Sequence, residues 1–190
     1  FRKSATVKSV LKSKIRKKIL KIRKERNFYN KKFNFLKIFN EIKKEKIKKK
    51  VIGGYYPINF EIDILDFLSK IESKCNQISL PAINENSQMD FFKWSYNDLL
   101  KLNRFGIPEP LKNKKVIPDI VFLPLVAFDK RLYRVGYGGG YYDRYFEKIS
   151  NKKKILKIGI AHSCQKINRV PENKYDKKLD MIITEKYILK

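Results

Sequence analysis

Acidic residues are scarce in this chain: 19 Asp and Glu stand against 45 Lys and Arg in 190 residues, for a formal net charge of +26. Cysteine is scarcer, with Cys75 and Cys164 lying 89 positions apart and without metal-ligand spacing. That spacing excludes a disulfide scaffold and a cysteine zinc set, and the expected setting is a reducing one, the cytoplasm. There is one histidine, His162, with no Cys or His neighbour at ligand spacing, so no metal or base role is assigned to it. No apolar run approaches 18 residues and no leader pattern is visible, so neither a spanning helix nor a signal peptide is expected.

Hydrophobic content of 43% is ordinary for a globular chain, and this length supports one domain, residues 1–190, with a sizeable core. The charge is unevenly placed. Residues 1–50 hold 21 Lys and Arg against Glu25, Glu41 and Glu45, a net of +18, which leaves +8 for the rest. Such an arm suits a nucleic-acid or anionic-membrane surface, but aromatic interleaving is weak over residues 2–26 and no zinc-finger or RNP-type pattern occurs. A chain-wide surplus of Lys, Ile and Asn instead spreads charge over solvated faces, with residues 1–8 read as a loosely ordered basic tail.

Val7, Leu11, Ile15, Ile19 and Ile22 recur at three and four, predicting a helix over Val7 to Lys24 with one apolar stripe. Lys12 and Arg16 project side by side from it, which alone reads as a solvated basic face rather than an anion contact. A second helix is predicted from about Lys31 to Lys48 with Phe35, Ile38, Phe39 and Ile42 inward. Val51–Tyr56 reads as a strand stopped by Pro57, and Glu61–Ile71 as a helix in which Glu61 is a favourable first-turn acid. Further strands are predicted at Gln77–Leu80, Met89–Trp94 (antiparallel), Ile155–Ala161 and Met181–Thr184, while Phe105–Pro110 reads as a loop. Strands alternating with helices predict a layered α/β domain with a mostly parallel central sheet.

The densest chemistry lies in Arg134-Val-Gly-Tyr-Gly-Gly-Gly-Tyr-Tyr-Asp-Arg144, between the apolar run Ile120–Phe128 and a helix predicted over Tyr141–Ile149. Gly136, Gly138, Gly139 and Gly140 allow backbone N–H groups to converge, and a helix N-terminus adds positive potential. Arg134 and Arg144 flank the loop, and Asp143 is placed to hold a metal against a phosphate. A tight turn alone is the lesser alternative account of the glycines. The loop is neither G-x-x-x-x-G-K-[ST] nor a complete G-x-G-x-x-G, because Tyr141 takes the last Gly position.

Leu123-Pro-Leu-Val-Ala-Phe-Asp129 followed by Arg134–Arg144 closely resembles the signature of the 5-formyltetrahydrofolate cyclo-ligases, also called methenyltetrahydrofolate synthetases. The resemblance extends in element order over roughly residues 12–184 and implies a three-layer α/β sandwich. It also implies ATP- and Mg2+-dependent conversion of 5-formyltetrahydrofolate to 5,10-methenyltetrahydrofolate with release of ADP and phosphate. In the family's route the formyl oxygen is phosphorylated, and N10 then attacks the same carbon and closes the ring.

On the matching positions, Lys12-Ser-Lys-Ile-Arg16 is similar to the family's opening ATP element. The resemblance gives ATP to Lys12, Arg16, Arg134, Gly136, Tyr137, Gly138, Gly139, Gly140, Tyr141 and Tyr142. It gives folate to Tyr56, Glu61, Tyr137, Gly138, Gly139, Gly140 and Tyr141, with Glu61 taking the pterin end. Mg2+ falls to Asp143 and Asp176, with Asp180 as the fallback in an acidic pair that otherwise reads as a turn. Arg134, Tyr142 and Asp143 are the expected catalytic group. A monomer acting on a small molecule, with no obligate nucleic acid and no membrane, is the expected form. A basic nucleic-acid binder and a nucleotide-binding module without ligase activity are the alternatives. Two departures stand out: Leu132 occupies a position where the family usually has Gly, and Val135 one where it has Leu.

Overall fold

The computed structural model describes residues 7–26, 33, 35–44, 50–73 and 77–190. An eight-stranded mixed sheet runs through it, built from β1 (Val51–Gly53), β2 (Gln77–Ile83), β3 (Met89–Lys93), β6 (Lys115–Val116), β7 (Ile120–Pro124), β10 (Leu156–Ile160), β11 (Met181–Ile183) and β12 (Ile188–Leu189). Two small ribbons, β4 (Leu100–Leu102) with β5 (Pro108–Pro110) and β8 (Ala127–Phe128) with β9 (Arg134–Val135), stand apart from it. Across the sheet the order is β12-β11-β10-β7-β1-β2-β3-β6. The strands from β11 to β2 are parallel, while β12, β3 and β6 pair antiparallel at the flanks. Parallel strands covered on both faces must be apolar throughout, as Ile120-Val-Phe-Leu123 is.

Alternation along β7 divides the core in two. Ile120 and Phe122 face α2 (Phe35–Lys44) and α3 (Leu65–Glu72), whereas Val121 and Leu123 face α4 (Tyr141–Ile149). Helices therefore cover both faces, and the predicted three-layer α/β sandwich is the architecture found. On the first face Phe67 stacks on Phe35 at 5.1 Å between centroids and meets Phe122 edge-on at 5.7 Å. Burying Phe67 stabilises by about 2 to 3 kcal/mol. The predicted second helix is seen over Phe35–Lys44; the remainder of Lys31–Lys48, the side chain of Ile42 and Cys75 lie outside what is described.

Helix α1 (Val7–Glu25) packs on the β8–β9 ribbon through Ile19, with Ile15 and Ile22 partly buried beside Val126, Ala127 and Val135. Its predicted stripe holds only in this second half. Val7 and Leu11 are 77% and 44% exposed, while Lys12 is buried, because the first half of the helix lies along a cleft rather than over the core. The helix begins at Val7, and Lys8 Nζ donates to the Glu172 carbonyl at 2.9 Å, so these two positions of the expected tail are ordered helix. Among the described residues no helix is long and apolar enough to cross a membrane.

Several predicted elements have different limits. The strand at Val51–Tyr56 ends at Gly53, and the run Ile120–Phe128 breaks after Pro124, so both chains leave the sheet where they reach the cleft. The helix expected from Glu61 starts at Leu65, whose N–H is taken by Asp63 Oδ1 at 2.8 Å. Asn59 and Phe60 before it have φ of 49° and 61°, which a helix entered at Glu61 would not require. Phe105–Pro110 is not all loop: Pro108–Pro110 pairs with Leu100–Leu102, a place where proline is tolerated because one edge of a two-stranded ribbon needs no donor.

The departure at Leu132 is resolved by strain accepted locally. Leu132 adopts φ 68°, the left-handed conformation that the usual glycine would take without penalty. The fully buried carboxylate of Asp129 holds the turn by accepting from the N–H groups of Arg131, Tyr133 and Val170, and Arg131 bridges Asp129 to Glu172.

Candidate functional site

The C-terminal ends of β1, β2 and β7, the Gly-rich loop, the start of α1 and the 173–176 loop enclose one cleft of about 1270 Å3. Its position outside the carboxyl ends of parallel strands is where open α/β sheets bind ligands. Lys12, Arg16, Tyr56, Glu61, Arg134, Gly136, Tyr137, Gly138, Gly139, Gly140, Tyr141, Tyr142, Asp143 and Asp176 all line it. Asp180 does not. Its carboxylate accepts from the Lys157 N–H at 2.7 Å at the start of β10, the opposite end of the parallel strands, so the fallback metal position is a strand-end contact.

The Gly-rich loop delivers a bare helix N-terminus. Gly140 is the N-cap of α4 with φ 65° and no side chain caps it, so the first-turn N–H groups face the cleft. Gly138 has φ 110°, a conformation closed to other residues, and a Cβ there would meet the Arg16 guanidinium at 3.4 Å. Arg16 Nε in turn donates to the Gly136 carbonyl at 2.7 Å, tying α1 to the loop. Arg144 crosses behind, donating to the Gly139 carbonyl at 2.8 Å and lying 5.1 Å over the Tyr141 ring.

Cations and carboxylates meet in pairs along one wall. Lys12 Nζ lies 2.5 Å from Asp176 Oδ2, which also takes the Asn173 N–H. Arg134, 7% exposed, donates to Asp143 Oδ1 at 2.8 Å and to the Lys177 carbonyl at 2.7 Å, and Asp143 accepts the Lys177 N–H. Arg134 and Asp143 thereby fix the loop that carries Asp176. Among the described residues no cluster of three or more His, Cys, Asp or Glu is set to hold a metal. Two carboxylates suit instead a hard cation that keeps waters and takes its remaining ligands from a bound phosphate.

Glu61 sits in the same cleft but among tyrosines. Its Oε1 accepts from Tyr137 Oη at 2.6 Å and its Oε2 from the Ile58 N–H at 2.8 Å. Burial lifts its pKa to about 7, against the opposing pull of these two hydrogen bonds and of Arg23. The phenols of Tyr137, Tyr142 and Tyr55 are pushed upward, chiefly by burial and then by the Glu61 charge, so all three remain neutral donors. The sequence-level reading of Glu61 as a helix-start acid is replaced by that of a desolvated acceptor. Tyr56 lines the cleft, and His162 stays outside it, capping the short 3-10 turn Ser163–Gln165.

Sequence reasoning missed Arg23 and Glu109. Arg23 is fully buried behind the cleft, and the periodicity that reveals it was present: Lys12, Arg16, Ile19 and Arg23 fall on one helical face. Glu109 lines the cleft, accepting from the Ile83 N–H at 2.9 Å and Asn103 Nδ2 at 2.7 Å, and its place in a proline-rich ribbon gave no signal.

A family model described as the 5-formyltetrahydrofolate cyclo-ligase family matches residues 5–185. The chain is 32% identical over 139 residues to the 5-formyltetrahydrofolate cyclo-ligase of Haemophilus influenzae, covering 70% of this chain and 74% of that protein. It is 36% identical over 137 residues to the enzyme of the same name from Mycoplasma genitalium, covering 70% and 72%. Among solved structures it resembles the 5,10-methenyltetrahydrofolate synthetase of Aquifex aeolicus with a TM-score of 0.76 and 31% identity, over 94% of this chain and 92% of that one.

Proposed function

As this chain belongs to the 5-formyltetrahydrofolate cyclo-ligase family, we propose that it converts 5-formyltetrahydrofolate to 5,10-methenyltetrahydrofolate at the expense of ATP, with Mg2+, releasing ADP and phosphate. One observation carries the reading: a single cleft of about 1270 Å3 joins a cation-lined glycine loop to a desolvated carboxylate flanked by tyrosines. That volume exceeds the range of roughly 300 to 1,000 Å3 usual for one small ligand and suits two.

Lys12, Arg16, Arg134 and the amides of the α4 N-terminus would hold the triphosphate, and Asp143 and Asp176 the Mg2+ that accompanies it. Bound there, the nucleotide supplies the phosphoryl group that makes the formyl oxygen a good leaving group. The protein's part is positioning and charge. Glu61, ionised, accepts two parallel hydrogen bonds from the aminopyrimidine edge of the pterin, and the tyrosines around it exclude water. Arg134 lines the cleft, buried and already fixed by Asp143, so its charge would be presented to a bound phosphate without reorganisation.

The test is purified protein with ATP, Mg2+ and 5-formyltetrahydrofolate, followed by the near-ultraviolet absorbance of the methenyl product. Product should form only with all three present and in a one-to-one ratio with ADP. ADP release without methenyl product would replace the ligase reading with that of a nucleotide hydrolase.

A further inference from the structure

We propose that Arg23 is a positioning residue for the folate end of the cleft, its buried guanidinium clamping the Ile58–Glu61 turn and the Gly-loop residue Tyr137 into one arrangement. The inference rests on the reading of Glu61 as the acceptor for the pterin. Arg23 is 0% exposed and does not line the cleft. Its Nη2 donates to the carbonyls of Ile58, at 3.2 Å, and Asn59; its Nη1 donates to Tyr137 Oη at 3.2 Å and to the Leu125 carbonyl at 3.4 Å. Tyr137 then donates to Glu61 Oε1 at 2.6 Å, while Glu61 Oε2 takes the Ile58 N–H at 2.8 Å. A closed ring results, from Arg23 through Tyr137 to Glu61, back through Ile58 and again to Arg23.

Two features set this apart from an ordinary buried arginine. Among the described residues no carboxylate forms an ion pair with Arg23, so Glu61, across the Tyr137 hydroxyl, answers its buried charge. The turn it holds is strained: Asn59 and Phe60 are consecutive non-glycine residues at φ 49° and 61°, a conformation that persists only where the surroundings impose it. The two Nη nitrogens of one planar guanidinium serve both sides at once, Nη2 the Ile58 and Asn59 carbonyls and Nη1 the Tyr137 hydroxyl and Leu125 carbonyl, a span that the single nitrogen of an ammonium cannot cover. Arg23 thus determines where Glu61 points rather than touching the ligand.

The groups facing Glu61 are Arg23 from α1, Tyr137 and Tyr142 from the loop and the start of α4, and Tyr55 from the segment that follows β1. The tyrosines stay neutral, so Arg23 is the cation that lowers the Glu61 pKa, and its removal shifts that pKa upward. If ionised Glu61 binds the pterin, kcat/KM for 5-formyltetrahydrofolate falls as pH drops through about 7, and in Arg23→Gln the fall begins at higher pH.

Steady-state kinetics of the full chain tests this. Arg23→Gln should raise KM for 5-formyltetrahydrofolate about ten-fold, leave KM for ATP within about two-fold, and move the pH midpoint upward. Arg23→Lys, which keeps the charge and loses the fork, should raise the folate KM while leaving the midpoint in place. If both KM values rise together, or the midpoint in Arg23→Gln does not move, Arg23 is merely structural and the proposal falls. Should Arg23→Gln not fold, Arg23→Lys decides by the same selectivity for folate over ATP. Glu61→Gln separates the two levels. An unchanged folate KM there overturns the folate reading of the cleft itself, whereas a raised one beside unaffected Arg23 variants overturns only the role of Arg23.

Discussion

A methyl group at Gly139 has nowhere to go: an ideal Cβ would lie 2.4 Å from Tyr141 Cε2 and 2.7 Å from its Cδ2. Accommodating Gly139→Val requires the Tyr141 ring to swing out of the first turn of α4, where the proposed phosphate donors are. The core residues of α4 are Tyr145, Phe146 and Ile149, which this movement leaves in place. Gly139→Val should therefore cost about two orders of magnitude in kcat/KM for ATP with little change in far-ultraviolet circular dichroism; near-normal turnover would remove the loop from phosphate binding. Glu61 makes a prediction in stability. Its pKa is raised in the folded state from 4.5 to about 7, so the native chain binds more protons than the unfolded one between these values and loses stability as pH rises through them. Glu61→Gln removes that dependence. The melting temperature of the variant minus that of the parent should grow from pH 5 to pH 8, and a flat difference would mean that Glu61 is not desolvated.

Among elements, α4 was legible in the sequence to the residue, because a glycine run before it and a 3.6-residue spacing of Tyr145, Phe146 and Ile149 mark both its start and its buried face. The start of α3 was not, since Glu61 satisfies every local preference for a first helical turn while its carboxylate is recruited by Ile58 and Tyr137 from outside that turn. The first half of α1 misled in the same way. Its apolar positions keep helical period, yet the face that the tertiary structure buries there carries Lys12 and Arg16. The β8–β9 ribbon offers the clearest test at this scale. Leu132 pays for its φ of 68° with about 1 to 2 kcal/mol of strain, but its side chain is 6% exposed within the α4-side core. Removing a buried leucine side chain costs about 2 to 5 kcal/mol, so burial outweighs strain. Leu132→Gly should lower the urea midpoint although it restores the residue type best suited to the turn; a stabilised variant would show that strain dominates.

Over the whole molecule, strand order was beyond the reach of sequence pattern, since β1 lies between β2 and β7 only because apolar faces are matched over long separations. The excess of positive charge was plain from the start, and its consequence depends on where the cleft draws its field. The lining itself is balanced: Lys8, Lys12, Arg16, Arg134 and Arg144 face Glu61, Glu109, Asp143, Glu147 and Asp176. The matched signs of the lining leave little net field at a distance, so the long-range pull on the proposed nucleotide and folate comes from the surrounding surface of a chain with a net charge of +26, while Lys12, Arg16 and Arg134 act at contact range. Attraction from that distance is screened once the Debye length falls to about 8 Å at 0.15 M salt, whereas the paired contacts within the cleft are screened much less. Raising monovalent salt from about 0.02 to 0.3 M should thus lower kcat/KM for both substrates by about ten-fold, most of it below 0.15 M, with kcat nearly constant. The measurement is initial rates at fixed pH and fixed free Mg2+ across that series. A kcat that falls in parallel would place the salt-sensitive charges within the cleft, at the Lys12–Asp176 and Arg134–Asp143 pairs, and not on the surface around it.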